Sequence, residues 1–574
     1  MKTIIKIFYF VVVILLLPFN VQSQGIEISS DGIITNTGTS TIEINNGSLI
    51  NNGTYTKGSE TLIFSGTNTA SISGSSLLEV YNLTLSGNIV NVNPGFKLTV
   101  SNSLTNNGTL NLLSDATSGT ATILTPGTIS ENGTYSVQQY LTTGRNWYIS
   151  SPVSAAKSSV FNAASDVTNK LYWYDETQGS SLTDNWPQIK GNTTSLGVMK
   201  GYVANLPTDG IVTFTGGTLN NSASTPINLT FTLGQTNAGF NLVGNPYPSY
   251  LNAMAAINAN SALEKSIWYR TKASSTYYFE TINTTSGLST NNAGVYLTGY
   301  VPPMQAFWVK TSSATTLVFN NNERSHSKTA GETGTVATTL LKSPVANKVV
   351  QQLLRLLVSN GINSDEAVIY FNPNASNGFD PYDSQKRSNA NAAIPEIYTT
   401  VGNLNMVFNG MNSITLDSDL VLGFTTGQSN SFTIKASEMS NFDASIKVIL
   451  KDKLLNVEKN LTDGLAYSFT SDAITTNNRF SIVFKSASIS TGNIGVNEVS
   501  PVTVFRNVNN QITILRSNVV NEGTVTVCNT TGQSLASCST TGTTTVLNRS
   551  FVPGVYFVTV NADGNKITKK IIVN

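Results

Sequence analysis

The chain has 574 residues, more than one ordinary domain needs, and this length indicates roughly three to five domains. Charged residues make up only 11% of the sequence, so Asn, Thr, Ser and Gly must supply most of the polar surface. The formal net charge of +1 argues against nucleic-acid binding and against electrostatic docking on anionic lipid. The many Val, Ile, Thr, Tyr and Phe residues predict ordered β structure rather than disorder.

Residues 1–23 have the pattern of a secretory signal peptide. Lys2 and Lys6 give the segment a positive start, and an apolar stretch follows from Ile7 to Pro18. The triplet Val21-Gln22-Ser23 then provides a cleavage site. The apolar stretch is short for a membrane span, and an uncleaved anchor helix is the alternative. We therefore expect the protein to leave the cytoplasm.

Residues 24–136 are repetitive. A short motif of small, apolar, Asn and Gly residues recurs, and strand-like segments of alternating apolar and polar residues lie between its copies. The copies are Gly32–Gly38, Ser48–Thr54, Ser103–Thr109 and Thr128–Thr134. We expect each Asn-Gly pair to supply the positive-φ residue of a tight corner. Strand, corner and strand in repetition predict a β-solenoid, whereas a β-sandwich with many Asn-Gly hairpins is the alternative.

Residues 24–488, which precede the C-terminal segment, are called the cargo below. Beyond the repeats, the cargo has the pattern of β-sandwich units. Residues 137–325 are rich in aromatic side chains and Pro-containing turns, with one short helix predicted between Leu251 and Leu263. Residues 326–345 have the composition of a linker. Residues 346–488 resume β alternation and predict a further β-sandwich. Residues 489–496 form a second hinge of Gly, Ser and Thr.

The segment 497–574 carries three motifs in a fixed order. The first is a strand hairpin with Asn529-Thr530-Thr531-Gly532-Gln533 at its turn. The second is a strand that begins Pro553-Gly554-Val555-Tyr556. The third is Gly564 followed by Lys569-Lys570 and an apolar end. Alternation from Val502 to Val573 predicts about seven short strands in a small Ig-like sandwich.

Together these motifs resemble the type A sorting domain of the type IX secretion system. The resemblance implies passage across the outer membrane through the secretion machinery to the cell surface or medium. It also implies removal of the tail by a sortase-like peptidase, followed by attachment to surface lipopolysaccharide or release. One motif of the family is missing. Where the family carries Tyr-Pro-Asn-Pro, this sequence has Val504-Phe505-Arg506-Asn507-Val508.

Three cargo stretches are similar to non-catalytic regions of large surface proteins exported by this route. They are Arg145–Val153, Asn241–Pro248 and Phe379–Lys386. The function of such regions is largely undefined, so the similarity narrows the class of protein and leaves its chemistry open.

The residues that could carry catalysis are few. His326 is the only histidine and falls in the predicted linker, which argues against a histidine-dependent nucleophile and against a zinc site. Asp175, Glu176 and Asp184 offer paired carboxylates for a glycoside hydrolase. Acidic residues in loops are usually solvated, so we predict that the chain is not an enzyme.

Two weaker sites concern ligands. Trp173 and Trp186 could stack against sugar rings, although large aromatic side chains more often form a core. Asp380 and Asp383 lie in a turn-rich stretch that could bind calcium, although Asx turns explain the same residues. We expect no other cofactor.

The two cysteines, Cys528 and Cys538, are both in the C-terminal segment. A two-residue turn at Thr531-Gly532 places Cys528 opposite Leu535 and Cys538 on the other face of the hairpin, a register that does not allow a disulfide bond. A bridge between the two is the less favoured alternative.

The sequence thus predicts an exported, all-β structural or adhesive surface protein. A carbohydrate-binding surface protein is the alternative, and a glycoside hydrolase is the third possibility.

Overall fold

The structure is a computed structural model of the chain. It describes residues 25–130, 132–161, 170–178, 185–221, 224–273, 275–292, 297–327, 352–486, 502–507, 511–516, 522–562 and 565–573. The chain forms two compact units, residues 1–486 and residues 487–574. Strands account for 56% of the structure and helices for 3%, which confirms the all-β class.

The first unit begins with a β-solenoid of about five turns, as the repeats predicted. Its strands are β1 (Gly25–Ile28), β2 (Ile33–Thr35), β3 (Thr41–Asn45), β4 (Ser48–Asn51), β5 (Thr54–Thr56), β6 (Thr61–Ser65), β7 (Ala70–Ser73), β8 (Leu78–Leu85), β9 (Ile89–Val92), β10 (Lys97–Asn106), β11 (Thr109–Leu112), β12 (Ser114–Asp115), β13 (Gly119–Thr120), β14 (Thr122–Leu124), β15 (Thr128–Ile129) and β16 (Thr134–Leu141).

Two parallel sheets stack most of these strands rung on rung, while β2 pairs with β5 and β12 with β13 in separate two-stranded sheets. One sheet has the order β1-β4-β7-β9-β11-β16 and the other has the order β3-β6-β8-β10-β14. Alternate side chains such as Leu49, Ile72 and Leu110 are fully buried between the two sheets. Because the side-chain period of a strand is two, each rung adds the same apolar face to one continuous core.

The glycines of the Asn-Gly corners work differently from our expectation. Gly53, Gly108 and Gly133 do not have positive φ angles. A Cβ on Gly108 would instead lie 2.1 Å from the carbonyl oxygen of Asn88 in the preceding rung. Glycine is therefore needed at these corners because adjacent rungs approach too closely for any side chain.

The next region of the first unit carries two short 3₁₀ helices and one α-helix. The α-helix, α1 (Ala253–Ala259), lies inside the helical stretch predicted between Leu251 and Leu263. The 3₁₀ helices are Ser158–Phe161 and Asn321–Glu323. Its strands are β17 (Asn146–Ile149), β18 (Lys170–Trp173), β19 (Gln188–Ile189), β20 (Tyr202–Asn205), β21 (Gly210–Thr215), β22 (Ser224–Leu229), β23 (Phe240–Gly244), β24 (Tyr250–Asn252), β25 (Ser266–Ala273), β26 (Thr276–Asn283), β27 (Tyr300–Val301), β28 (Ala306–Lys310), β29 (Thr315–Asn320) and β30 (Arg324–Ser325).

This region is joined to the solenoid through strands and core. Strand β16 runs past residue 136, and β21 pairs antiparallel with its residues Ser136–Leu141. The solenoid core continues without interruption to Leu219 and Met304. The last rung is therefore covered by chain from the following region, which leaves its backbone groups paired.

The remaining strands of the first unit form one curled sheet. They are β31 (Gln352–Ser359), β32 (Ser364–Phe371), β33 (Ser384–Gln385), β34 (Glu396–Val401), β35 (Leu404–Met411), β36 (Asp419–Thr426), β37 (Asn430–Ser440), β38 (Ile446–Asp452), β39 (Val457–Asn460), β40 (Tyr467–Ser471) and β41 (Ile474–Ser486). Phe469 of β40 and Phe480 of β41 lie far apart in the strand order, yet their rings meet edge to face at 4.9 Å. The sheet therefore wraps around one core, and other side chains, such as Val368 and Phe408, form a separate cluster.

The second unit contains seven described strands, the number that alternation predicted. They are β42 (Val502–Arg506), β43 (Ile512–Arg516), β44 (Gly523–Cys528), β45 (Ser534–Thr540), β46 (Thr544–Val546), β47 (Gly554–Ala562) and β48 (Asn565–Val573). A sheet of order β42-β43-β46 and a sheet of order β45-β44-β47-β48 contribute side chains to one core, including Ile514, Val527 and Val558.

Several predicted segments fall outside the described residues. These are the signal peptide 1–23, most of the linker 326–345 and the hinge 489–496. The domain boundaries at 136/137 and 345/346 stay predictions.

Candidate functional site

The Tyr556 side chain anchors the sorting motif of the second unit. Its hydroxyl donates a hydrogen bond of 2.7 Å to the carbonyl oxygen of Val552, four residues upstream. Its ring is buried and packs edge to face on Phe551 at 5.3 Å. This arrangement is that of a tyrosine corner in an Ig-like domain. Pro553 and Gly554 lie inside the closed loop, so the Pro-Gly-x-Tyr motif fixes where β47 begins.

The Asn529–Gln533 turn explains a second part of the motif. The Asn529 side-chain oxygen accepts hydrogen bonds from the backbone N–H groups of Thr531 and Gln533, at 3.1 and 3.0 Å. Gly532 has a φ of +84°, a conformation that glycine adopts without strain. The motif is thus an Asx turn whose last corner requires glycine.

The terminal strand β48 forms one edge of its sheet. Lys569 pairs with Val558 and Lys570 with Phe557 of β47. Lys570 is exposed and Lys569 is half-buried, whereas Ile571 and Val573 enter the core. Gly564 lies outside the described residues. The basic pair therefore sits on an accessible strand that the hydrophobic core holds in register.

Both cysteine thiols are free. A bulge after Val527 places Cys528 opposite Ser534 rather than Leu535, and Cys538 opposite Val525. Our expected register was one residue off because the hairpin turn is longer than two residues.

His326 is not an exposed linker residue. Its ring is 4% exposed and lies 2.8 Å from the hydroxyls of both Thr99 and Thr122 on the solenoid. Burial, assisted by the charges of Lys97 and Arg324, lowers the pKa of His326 to about 3. Both ring nitrogens are hydrogen-bonded, so His326, which follows the end of β30, links this part of the chain to the solenoid.

The two candidate glycan-stacking residues pack into different clusters. Trp173 lies against the solenoid core, and the Lys200 ammonium sits 3.2 Å from the centre of its ring. Trp186 packs edge to face on Tyr174 and Trp308, at 5.2 and 5.7 Å. The fold therefore does not bring the two tryptophans together as one platform.

The candidate hydrolase carboxylates are also held in place. Glu176 is buried and accepts hydrogen bonds from Thr232 N–H at 2.6 Å and from Gly239 N–H at 2.9 Å. Asp175 accepts from the N–H and hydroxyl of Thr177 at 3.0 and 2.7 Å. Asp184 lies outside the described residues. Asp175 therefore stabilises its own turn, and Glu176 links its loop to the distant segment that contains Thr232 and Gly239.

Asp380 and Asp383 share one loop. Asp383 is 1% exposed, and its two oxygens accept from Asp380 N–H and Gly410 N–H, each at 2.9 Å. Burial raises the pKa of Asp383 to about 7. Asp380 accepts from Tyr382 N–H at 2.7 Å. Within the described part of the chain, no group of three or more His, Cys, Asp or Glu residues is placed to hold a metal ion. Calcium binding here stays a prediction.

A polar cleft at one end of the curled sheet was not visible in the sequence. Its volume is about 910 Å³, and residues 429–431, 453–454, 470–474, 476 and 478–479 line it. Its carboxylate, Asp472, accepts a 2.9 Å hydrogen bond from the Ser429 hydroxyl. The cleft is assembled from three separate turns, and each turn alone looks like any other polar connection.

The fold and the terminal motifs together define an exported, all-β surface protein. A family model described as "Secretion system C-terminal sorting domain" matches residues 503–574. The tail therefore marks the chain for type IX secretion to the outer cell surface.

The cargo has a family of its own. The chain belongs to the family described as "Domain of unknown function (DUF8693)", whose model matches residues 22–484. No curated protein matches the chain. Among the described residues, no helix has both the length and the apolar character that a membrane crossing requires.

Proposed function

We propose that this chain serves a structural or adhesive role on the outer cell surface and is not an enzyme. The observation that carries the proposal is the use of its ionisable side chains. His326, Glu176 and Asp383 are all buried in structural hydrogen bonds. A catalytic acid or base needs an accessible proton and a partner poised to exchange it. These side chains stabilise a scaffold instead.

The type IX machinery would deliver this scaffold, and further partners follow from the proposed route. A sortase-like peptidase would remove the tail, and the product would be attached to lipopolysaccharide or released. The test compares cells that express the full chain with cells that lack it, using attachment to abiotic and glycan-coated surfaces as the measurement. Equal attachment, with surface display verified by protease treatment of whole cells, would overturn the adhesive role.

Carbohydrate binding is the second candidate, and the polar cleft favours it. Hydroxyl, amide and carboxylate side chains such as Ser471, Asn478 and Asp472 surround the cleft, with Leu454 and Ile474 as apolar contacts. The cleft volume lies in the range of about 300–1,000 Å³ that ligand sites occupy. Sugars need this combination of convergent hydrogen-bonding groups and apolar surface.

A glycan array probed with the full exported chain separates these candidates. The cleft hypothesis expects specific binding that Asp472→Ala and Asn478→Ala weaken by about tenfold or more, the effect of about 1.4 kcal/mol. Asp463→Ala is the matched control, because Asp463 is an exposed acid outside the cleft lining. Binding that survives both cleft variants would place the sugar elsewhere.

A glycoside hydrolase is the third candidate. It needs two facing carboxyl groups about 5–10 Å apart. Asp472 is the one carboxylate among the residues that line the described cleft. Release of reducing sugar by the full chain would revive this candidate.

A further inference from the structure

Strand β32 carries a buried acid that faces a buried lysine. The side chain of Asp365 is 0% exposed and that of Lys386 is 6% exposed. The Lys386 ammonium donates to Asp365 Oδ1 at 2.5 Å and also to Asp365 Oδ2. Contact with both carboxylate oxygens holds the nitrogen beside the carboxyl carbon, the proximity that an intramolecular attack requires.

The surroundings of the pair disfavour the charged form of Asp365. Burial raises the pKa of Asp365 to about 6; Lys386 opposes this rise and the charge of Glu396 adds to it. A proton that moves from the ammonium to the carboxylate turns a buried ion pair into an amine and a carboxylic acid. Burial lowers the free-energy cost of this exchange, because both charged groups are removed from water.

A second carboxyl group lies beside the pair. Glu396 is 7% exposed, and the N–H of the next residue, Ile397, donates to Asp365 Oδ2 at 2.9 Å. The Glu396 Oε1 atom accepts from Asn389 N–H at 2.5 Å and from the Ser388 hydroxyl at 3.3 Å. These bonds fix the position of the Glu396 carboxylate, whose charge acts on Asp365.

We propose that Lys386 and Asp365 react with each other to form an intramolecular amide bond, with Glu396 as the proton carrier. The lone pair of Lys386 Nζ attacks Asp365 Cγ, the new C–N bond forms, and one C–O bond breaks. The oxygen leaves as water, carrying protons from the nitrogen that Glu396 relays. The ammonium and carboxylate together become one neutral amide and one water molecule, so no oxidant or co-reactant is needed.

The location of the bond indicates a stabilising role. The first 527 residues contain no cysteine, so no disulfide can staple the cargo. The segment 381–389 follows strands β25 and β26 closely, with Trp268 Nε1 donating to Gln385 O at 3.0 Å and Arg270 donating to Asn389 O at 2.9 Å. An amide at Lys386 would tie this segment covalently to β32, while its hydrogen bonds to Trp268 and Arg270 link it to β25.

Mass spectrometry of the full exported chain tests the proposal directly. Without the bond, trypsin cuts after Arg355 and Lys386 and yields the linear peptide 356–386. With the bond, Lys386 resists trypsin, and the product is peptide 356–387 with a mass one water molecule below its linear value. Chymotryptic cuts after Tyr370 and Phe379 should then leave two joined chains. Recovery of the linear 356–386 peptide alone would overturn the proposal.

Glu396→Gln tests the proton carrier without removing the fold. Glutamine keeps an acceptor oxygen for Asn389 and Ser388 but cannot carry a proton. We expect the water loss to disappear in this variant, with the circular dichroism spectrum unchanged, and Glu396→Asp to restore part of it with an altered pH profile of bond formation.

The matched control is Glu366→Gln. Glu366 adjoins Asp365 on β32 and is equally buried, but it pairs with Arg355 at 2.9 Å on the other face of the strand. We expect full bond formation in this control. A bond that forms equally in Glu396→Gln and in wild type would remove Glu396 from the mechanism and reject the proposal as stated.

Discussion

The solenoid and the curled sheet of residues 352–486 satisfy buried polar groups in opposite ways. The solenoid buries a single charged side chain, Glu60, among its described residues 25–141, and otherwise buries amides and hydroxyls. The curled sheet buries ion pairs, such as Arg355–Glu366 and Arg479–Asp452.

The difference follows from repetition. A residue in a solenoid rung meets its counterpart in the next rung, and an amide can both donate to and accept from an identical amide. Asn102 donates to Asn82, and Asn82 donates to Thr61, in a ladder across three rungs. Strands of the curled sheet meet unlike neighbours, so a buried donor can be matched by a buried carboxylate.

The largest expected effect comes from breaking a buried ion pair. Asp452→Ala removes the partner of Arg479, whose guanidinium stays buried between Phe469 and Phe480. We expect the free energy of unfolding to fall by about 3–5 kcal/mol, because an uncompensated charge remains inside. Urea denaturation followed by circular dichroism measures this loss. Asp463→Ala, which removes an exposed pair with Lys459, is the control and should have no measurable effect.

The second effect is a pH dependence of folding stability, which arises from Asp383 in the same part of the chain. Burial raises the pKa of Asp383 from 3.8 to about 7 in the folded state. The folded protein therefore holds a proton that the unfolded chain releases, so the contribution of Asp383 to stability is complete below about pH 4 and is lost as pH rises to about 7. The loss is on the order of 4 kcal/mol at about 1.4 kcal/mol for each pKa unit.

Asp383→Asn should abolish this slope. Below about pH 4 it would cost about 1 kcal/mol, because the amide nitrogen would face the Asp380 N–H instead of accepting from it. Near pH 7 the variant should be the more stable protein, because it does not carry the cost of ionising Asp383. Thermal melts between about pH 4 and 8 provide the measurement, and an unchanged slope in the variant would refute the assignment to Asp383.

The third effect tests the close approach of solenoid rungs. In Gly108→Ala the new methyl group would meet the carbonyl oxygen of Asn88 at 2.1 Å, so the backbone must shift. We expect a loss of about 1–3 kcal/mol in chemical denaturation. Gly38→Ala is the matched control, since nothing lies within 4 Å of a Cβ at that glycine. Equal losses in the two variants would contradict the steric account.

The smallest effect concerns the amide ladder. Asn82→Ala removes the bonds to Thr61 and Asn102 on a partly exposed face, at 3.2 and 2.8 Å. Because water replaces both bonds, we expect a loss of about 1 kcal/mol or less. If this loss approached that of Asp452→Ala, the contrast between the two regions would fail.

Local patterns were enough for part of the site but not for the rest. The Asn529–Gln533 turn and the Pro553–Tyr556 strand start depend on residues within a few positions, so the sorting motif could be recognised directly. The prediction that His326 lies in a linker was wrong, because its partners Thr99 and Thr122 lie more than 200 residues away in the sequence. The polar cleft was invisible for the same reason, since three distant turns build it.

The sequence by itself determined the all-β class, the repeating rungs and the terminal sorting signal, because strand alternation and turn chemistry are local properties of the chain. Only the tertiary structure decided which acids lie next to which cations, why the corner glycines are needed, and that Trp173 and Trp186 belong to separate clusters. Those outcomes depend on strand register and sheet curvature, which many weak contacts set jointly and no short stretch of sequence encodes.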